Sequence, residues 1–145
     1  MPARTLKDKL WILIAALTIC GCGGGKYPTY RAGGRVTFAD GKPLTTGWIS
    51  FRALDSENVT ARGQIQPDGT FELTTFTRGD GAVEGRHQAL VMAQVYRNER
   101  EAPQGTPPPP PLIDTRFSSF ESSGLEFTVT NVPEQNQFNI QVTPP

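Results

Sequence analysis

Apolar and polar residues alternate along most of this chain with a period of two. Seven short runs share the pattern, and the apolar positions of each run fall on one face of an extended strand. The runs cover residues 36–38, 49–53, 61–65, 71–73, 87–95, 125–129 and 138–142. Turn sequences such as Pro67-Asp68-Gly69 and Asp80-Gly81 separate them. The pattern therefore predicts an all-β domain, a seven-stranded antiparallel β-sandwich.

The first 21 residues have a different pattern. A basic start with Arg4, Lys7 and Lys9 precedes the apolar run Leu10–Ile19, in which only Thr18 is polar. This run is too short to span a bilayer, which takes about 20 apolar residues. Its length is typical of the apolar part of a secretory signal. We therefore expect residues 1–21 to form a signal-peptide helix that is removed from the mature protein.

The expected signal ends in Ile19-Cys20-Gly21-Cys22. This sequence resembles the lipobox of bacterial lipoproteins, in which a small residue precedes the cleaved bond and a cysteine follows it. The resemblance implies cleavage between Gly21 and Cys22, a diacylglyceryl thioether on the Cys22 sulfur, and fatty acylation, such as palmitate, of the new N-terminus. The mature chain would then attach to a membrane through Cys22 and carry no thiol for a disulfide. The alternatives are an ordinary signal peptide with two incidental cysteines, or a buried core helix.

Charge and the residue after Cys22 bear on location and partners. Gly23 follows Cys22, where Asp would resemble an inner-membrane retention signal, so the sequence favours the outer membrane of a bacterial cell envelope. The whole chain has 14 basic and 14 acidic side chains, and removal of residues 1–21 leaves a net charge of −2. Because nucleic-acid binding needs an excess of basic side chains, we expect no nucleic-acid partner.

The mature chain divides into a tether and a domain. Residues 22–29 hold the lipidated cysteine and a glycine-rich tether, and residues 30–145 form the β-sandwich domain. Within the domain, residues 97–123 lack a strand pattern and are predicted as a long proline-rich loop. The five consecutive prolines Pro107–Pro111 predict polyproline II. Apolar residues in the second half of the loop predict that it packs back onto the domain, with a helical turn near Phe117.

Several sequence pieces, in this order, resemble the transthyretin-like, or carboxypeptidase regulatory-like, domain. Residues 40–44 form a D-G-x-P-L turn, Gly47 opens the next strand, and residues 68–71 form a D-G-x-F turn. His87 stands where the family usually has Tyr. The resemblance covers residues 31–142. It implies a prealbumin-like sandwich, related in architecture to Ig-like domains, that serves as an accessory or interaction module, and it implies no reaction.

Residues that could carry catalysis or hold a metal are sparse. His87 is the only histidine, and it falls on the apolar face of its strand, so we expect a partly buried, hydrogen-bonded side chain near the end of the sandwich rather than a general base. Asp55, Glu57 and Asn58 form an acidic loop that lacks the dense ligand spacing of a calcium loop, and a solvated turn is the better interpretation. We therefore predict a protein that is not an enzyme, with no catalytic residue, metal or cofactor.

Two features favour binding. Trp48 falls on the outward face of its strand, where it could contact a glycan or a protein, unless the long loop or the chain near Tyr30 covers it. The Pro107–Pro111 tract is interpreted as a stiff loop, with a ligand for an aromatic groove as the alternative. The sequence thus predicts a non-catalytic structural or interaction module of the envelope with a protein partner. A module that binds a glycan or another small ligand is the alternative.

Overall fold

The computed structural model describes residues 27–57, 59–94 and 103–145. This part of the chain is all-β, as predicted, and its helical segments are two short 3-10 turns at Thr115–Ser118 and Pro133–Gln135. The strands are β1 (Thr29–Tyr30), β2 (Gly33–Phe38), β3 (Trp48–Ala53), β4 (Thr60–Gln64), β5 (Thr70–Glu72), β6 (Ala82–Val83), β7 (Gly85–Met92), β8 (Leu125–Val129) and β9 (Gln137–Val142).

The strands form three sheets. One sheet has the order β5-β2-β9, another has the order β4-β3-β7-β8, and β1 pairs with β6. Each of the seven runs of alternating residues coincides with a strand of the two larger sheets, although β7 ends at Met92, before the predicted end of its run. The two-residue strands β1 and β6 were not predicted, because so short a segment shows no alternation.

The prediction of a purely antiparallel arrangement was wrong for one pair of strands. β2 and β9 run parallel, in register from Gly33 with Gln137 to Phe38 with Val142. The buried Asn136 fixes where β9 begins. Its Nδ2 atom donates to the carbonyl oxygens of Thr130 at 2.8 Å and Arg31 at 3.2 Å. Parallel and antiparallel strands have the same two-residue period, so alternation alone does not distinguish them.

Side chains from both larger sheets share one core. Phe51 on β3 is fully buried at its centre. Its ring centroid lies 6.4 Å from that of Phe71 on β5 and 5.4 Å from that of Phe138 on β9. Phe127 on β8 stacks on the same ring with centroids 5.3 Å apart. Aromatic side chains bury large apolar areas, so this cluster contributes strongly to the packing between the sheets.

A smaller apolar cluster packs against Tyr27, the first described residue. It consists of Ala53, Val59 and Val83, and Tyr27 packs against it. The boundary predicted between the tether and the domain, at residues 29 and 30, falls inside β1. The packed part of the chain therefore includes Tyr27 and Thr29, ahead of the predicted domain start.

The second half of the long loop packs back on the domain. Pro111 forms a β-bridge with Gln94, and the Leu112 amide donates to the Ala93 carbonyl at 3.0 Å. The 3-10 turn at Thr115–Ser118 lies where the sequence predicted a helical turn, and it buries Phe117 in the main core. The loop is therefore fixed to the chain that follows β7 by backbone hydrogen bonds, and to the core by apolar packing.

Candidate binding surface

Trp48 is exposed at the first position of β3. Alternate side chains of this strand point to opposite faces of the sheet, so Ile49 and Phe51 enter the core while Trp48 points outward. Its exposed fraction is 54%, so neither Tyr30 nor the described part of the long loop covers it. The outward orientation that the sequence predicted for Trp48 is confirmed, and its role as a contact stays a prediction.

Met92 lies directly opposite Trp48 in the register of β3 and β7. Its exposed fraction is 50%, and the next outward residue of β7, Leu90, is half-buried. We call the surface formed by Trp48, Leu90 and Met92 the Trp48–Met92 surface. Sequence reasoning missed its β7 half. The signal was present, because Leu90 and Met92 are apolar residues at positions where alternation predicts the polar face.

Trp48 also borders a groove between β4 and β5, which we call the β4–β5 groove. Its volume is about 820 Å³, within the range of small-ligand sites. Its lining is mostly polar and includes Arg62 and Gln64 from β4, Glu72 from β5, and Arg78 from the turn that follows β5. An aromatic side chain beside hydrogen-bonding groups can hold a ligand that has both an apolar face and polar substituents.

Close backbone contacts between β4 and the chain around β5 border the β4–β5 groove. Arg62 and Thr74 exchange both backbone hydrogen bonds, at 2.9 and 2.8 Å, which ties β4 to the chain after β5. At the next residue, a Cβ on Gly63 would lie only 2.6 Å from the Glu72 carbonyl oxygen, so this close approach requires glycine. Beyond this point β4 and β5 pair in different sheets, and the turn between them joins them again where the Gln66 amide donates to the Thr70 carbonyl at 2.8 Å.

One carboxylate organises the turn that carries Arg78. The Asp80 side chain accepts hydrogen bonds from the backbone amides of Thr75 at 2.7 Å, Phe76 at 2.9 Å and Thr77 at 3.0 Å. Burial alone would raise the pKa of Asp80, but the three amides together hold it below its ordinary value. The charged carboxylate therefore holds the turn in one conformation.

His87 lies in the core, as its position in the alternating pattern predicted. It is 1% exposed, and its ring centroid is 6.1 Å from that of Phe51. Its Nδ1 atom lies 3.0 Å from the Gly85 carbonyl oxygen, and Nδ1 must be the donor because a carbonyl oxygen only accepts. Burial lowers the pKa of His87, against the opposing effects of the Gly85 carbonyl and the Asp55 charge. These contacts favour a neutral structural histidine.

The acidic loop after β3 is occupied by contacts within the protein. Asp55 Oδ2 accepts from the Arg86 amide at 3.0 Å, and Asp55 Oδ1 lies 3.3 Å from Arg86 Nη2. Glu57 is exposed, and Asn58 lies outside the described residues. In the ranges that the structure describes, no three His, Cys, Asp or Glu side chains come together as a metal site would require.

The predicted processing site, Gly21 and Cys22, and the whole signal region 1–21 lie outside the described residues. No helix in the part of the chain that the structure describes is both long enough and apolar enough to cross a membrane.

Comparisons with protein-family models, with curated proteins and with solved structures find no match to this chain. Its function is therefore inferred from the N-terminal sequence and from the surfaces described above.

Proposed function

We propose that this chain is a lipoprotein of the bacterial cell envelope and that its β domain is a non-catalytic interaction module. The observation that carries the proposal is the sequence Ile19-Cys20-Gly21-Cys22 directly after a basic start and a short apolar run. Lipid on Cys22 attaches the domain to the membrane, and Gly23 favours the outer membrane. Each buried methylene group contributes about 0.8 kcal/mol, so two or three acyl chains anchor a protein stably.

The proposed fold of the domain is a seven-stranded β-sandwich of the transthyretin-like type. Support comes from the strands, which divide three and four between two sheets with a common core. The turn that resembles the family pattern is also well formed. Asp40 Oδ1 accepts from the Lys42 amide at 3.0 Å, Gly41 has a φ of 84°, and Leu44 is 2% exposed. Such a domain presents its loops and outer faces to partners.

The proposed contact for a protein partner is the Trp48–Met92 surface. Tryptophan supplies a large contact area with few rotatable bonds, and methionine adapts to irregular surfaces. The two side chains lie side by side, each about half exposed, on a face formed by strands rather than by a mobile segment. A partner that buries both would gain apolar contact without reordering the domain.

The anchor is tested by Cys22→Ser, with Cys20→Ser as the matched control. We expect Cys22→Ser to leave the domain folded and to release it from the membrane fraction, because the lipidated sulfur is lost. Cys20→Ser should stay membrane-bound, since Cys20 leaves with the signal. Fractionation with a high-salt wash, followed by immunoblotting, measures both. Retention of the Cys22→Ser protein in washed membranes would contradict lipid anchoring at this residue.

The partner is tested by cross-linking the protein in its own envelope, solubilising it in detergent, and identifying captured proteins by mass spectrometry. We expect one envelope protein to be captured by the unaltered protein and by Leu54→Ala, and to be lost with Trp48→Ala. Leu54 is a suitable control because its exposed fraction is 41% and it does not line the Trp48–Met92 surface. Equal capture by the Trp48→Ala variant would refute the proposed contact.

A second candidate function is binding of a glycan or another small ligand. The observation that favours it is the position of Trp48 at the edge of the polar β4–β5 groove. In the mature protein Trp48 is the remaining tryptophan, because Trp11 leaves with the signal. Titration with glycans while Trp48 fluorescence is recorded separates the two functions. A saturable change in Trp48 fluorescence favours ligand binding. No change in fluorescence, together with capture of a protein partner in the cross-linking experiment, favours the interaction module.

A further inference from the structure

We infer that the β4–β5 groove binds an anionic oligosaccharide, a glycan that carries carboxylate or sulfate groups. The inference rests on the second candidate function and names the class of ligand. It depends on where the arginines without a partner lie, on how rigidly they are held, and on the aromatic side chain beside them.

The arginines without partners are concentrated in one place. The structure describes eight Lys and Arg side chains. Five have a partner: Arg35 donates to the Asp68 carbonyl, Lys42, Arg52 and Arg86 form ion pairs with carboxylates, and Arg116 lies over the Phe117 ring. The other three, which are Arg31, Arg62 and Arg78, line the β4–β5 groove or the groove that continues from it.

The two grooves are continuous along β5. The second groove has a volume of about 590 Å³ and shares Glu72 and Arg78 with the first. Arg31 lines the second groove and not the first. Together the described linings carry three guanidinium groups and one carboxylate, an excess of two positive charges in a domain whose mature chain is net negative. The groove is therefore complementary to an anion of extended shape.

The guanidinium groups lie on fixed elements. Arg62 belongs to β4, where backbone bonds to Thr74 hold it, and Arg78 belongs to the turn that Asp80 organises. Arginine presents a planar group with parallel N–H donors, which matches the oxygens of carboxylate and sulfate in pairs. Because the backbone is already ordered, binding loses less conformational entropy than it would on a flexible loop.

The remaining groups suit a sugar. Trp48 gives an exposed aromatic face at one end of the groove, against which the apolar face of a pyranose ring can pack. Gln64, Gln66 and Thr70 line the same groove and offer donors and acceptors for hydroxyl groups. Glu72 can accept from a hydroxyl between the charged positions. Stacking, neutral hydrogen bonds and separated cations together favour a charged oligosaccharide over an isolated anion.

The test is isothermal titration of the full-length protein, purified in detergent, with three probes of similar length. These are a sulfated maltohexaose that carries no carboxylate, a carboxylated oligogalacturonate, and the neutral maltohexaose. We expect one or both acidic probes to bind, with affinity that falls as salt increases, and no binding of the neutral probe. The preference between the acidic probes identifies whether sulfate or carboxylate is the recognised group.

Variants locate the site. Arg62→Ala and Arg78→Ala should each weaken binding about tenfold or more, because each removes charge-assisted hydrogen bonds. Lys42→Ala should bind as the unaltered protein does, since it removes an exposed cation that lines neither groove. Circular dichroism of each variant checks that the domain is folded. Arg78→Lys, which keeps the charge, serves if Arg78→Ala is unstable, and should show a smaller loss.

Four results would overturn the inference. Equal binding of the neutral probe would refute the need for charge while leaving the glycan function standing. Binding of no probe would refute the glycan site while leaving the anchor, measured by fractionation, unaffected. Acidic binding that neither arginine variant weakens would place the site elsewhere. Tighter binding of a short single-stranded DNA than of either acidic glycan would assign the groove to nucleic acid instead.

Discussion

Arg52 Nη2 donates a hydrogen bond to Glu121 Oε1 at 3.1 Å and connects residues 69 positions apart. The same nitrogen donates to Gln88 Oε1 at 2.8 Å, and the guanidinium carbon lies 4.3 Å from the centre of the Phe120 ring. Arg52 points outward from β3, so these contacts hold the returning part of the long loop over the outer face of the four-stranded sheet.

Removal of this contact should loosen the loop without unfolding the domain. In Arg52→Ala we expect faster amide hydrogen exchange in residues 119–124, because Glu121 and Phe120 lose their partner there. Exchange in β3 and β7 should be unchanged. Hydrogen exchange with mass spectrometry measures both segments. Equal protection of residues 119–124 in both proteins would show that the Ser123 hydrogen bond to the Ala89 carbonyl and the packing of Phe117 hold the loop without Arg52.

Truncation of Phe51 and of Trp48, which lie on opposite faces of β3, should change the free energy of unfolding by very different amounts. Phe51→Ala should lower the free energy of unfolding by about 3–5 kcal/mol, because it leaves a cavity among three phenylalanine rings. Trp48→Ala should lower it by about 1 kcal/mol or less, because about half of the Trp48 side chain is exposed. Urea unfolding followed by circular dichroism measures both. A large loss in Trp48→Ala would mean that this side chain supports the fold and is not free to bind.

His87 should make stability depend on pH in the mildly acidic range. Because burial lowers the pKa of His87, the unfolded chain takes up a proton at a higher pH than the folded protein does. The contribution of His87 to the free energy of unfolding is therefore complete above its pKa in the unfolded chain, about 6.5. This contribution is lost as the pH falls towards the lower pKa of the folded protein. We expect the free energy of unfolding to fall between about pH 7.5 and 5.5.

The control for this dependence is His87→Phe, which keeps an aromatic ring beside Phe51 and Phe127 and removes the titrating group. Its stability should vary less with pH over the same range. The carboxylates with lowered pKa, such as Asp55 and Asp80, are charged in both states above about pH 5 and do not contribute there. An identical pH dependence in the two proteins would assign the effect to another group.

Asp80 should matter more for stability than its place in a surface turn suggests. Asp80→Ala leaves three backbone amides without their acceptor, and we expect a loss of about 1–2 kcal/mol, since water reaches part of the turn. Asp80→Asn keeps one acceptor oxygen and should lose less. Urea unfolding of the three proteins measures the order. Equal stability of all three would show that the turn is held by its backbone alone.

The strands could be predicted from the sequence because each of the seven has one buried face. Val36, Phe51 and Ile140, for example, are fully or almost fully buried at positions that alternate with polar residues. The outward orientation of Trp48 followed from the same argument. The parallel pairing of β9 did not, because alternation is the same in parallel and antiparallel strands and because the hydrogen bond from Asn136 to the Arg31 carbonyl joins residues 105 positions apart.

The β4–β5 groove could not be predicted from the sequence. Arg31, Arg62 and Arg78 come from three separate segments, and each alone is an ordinary exposed arginine. Arg62 and Arg78 line this groove because the chain after β5 pairs with β4, and Arg31 lines the second groove. The sequence does not show which of the described arginine side chains lack a partner, because that depends on which groups the fold places beside each one.

The lipid anchor on Cys22 is tested most directly by mass spectrometry of the N-terminal peptide of the protein extracted from bacterial membranes. We predict that the peptide begins at Cys22 and lacks residues 1–21. Its Cys22 sulfur should carry a diacylglyceryl thioether, and its N-terminal amine should carry a fatty acyl group. A peptide that begins elsewhere, or an unmodified Cys22, would contradict the proposal that this domain is held to the envelope by lipid.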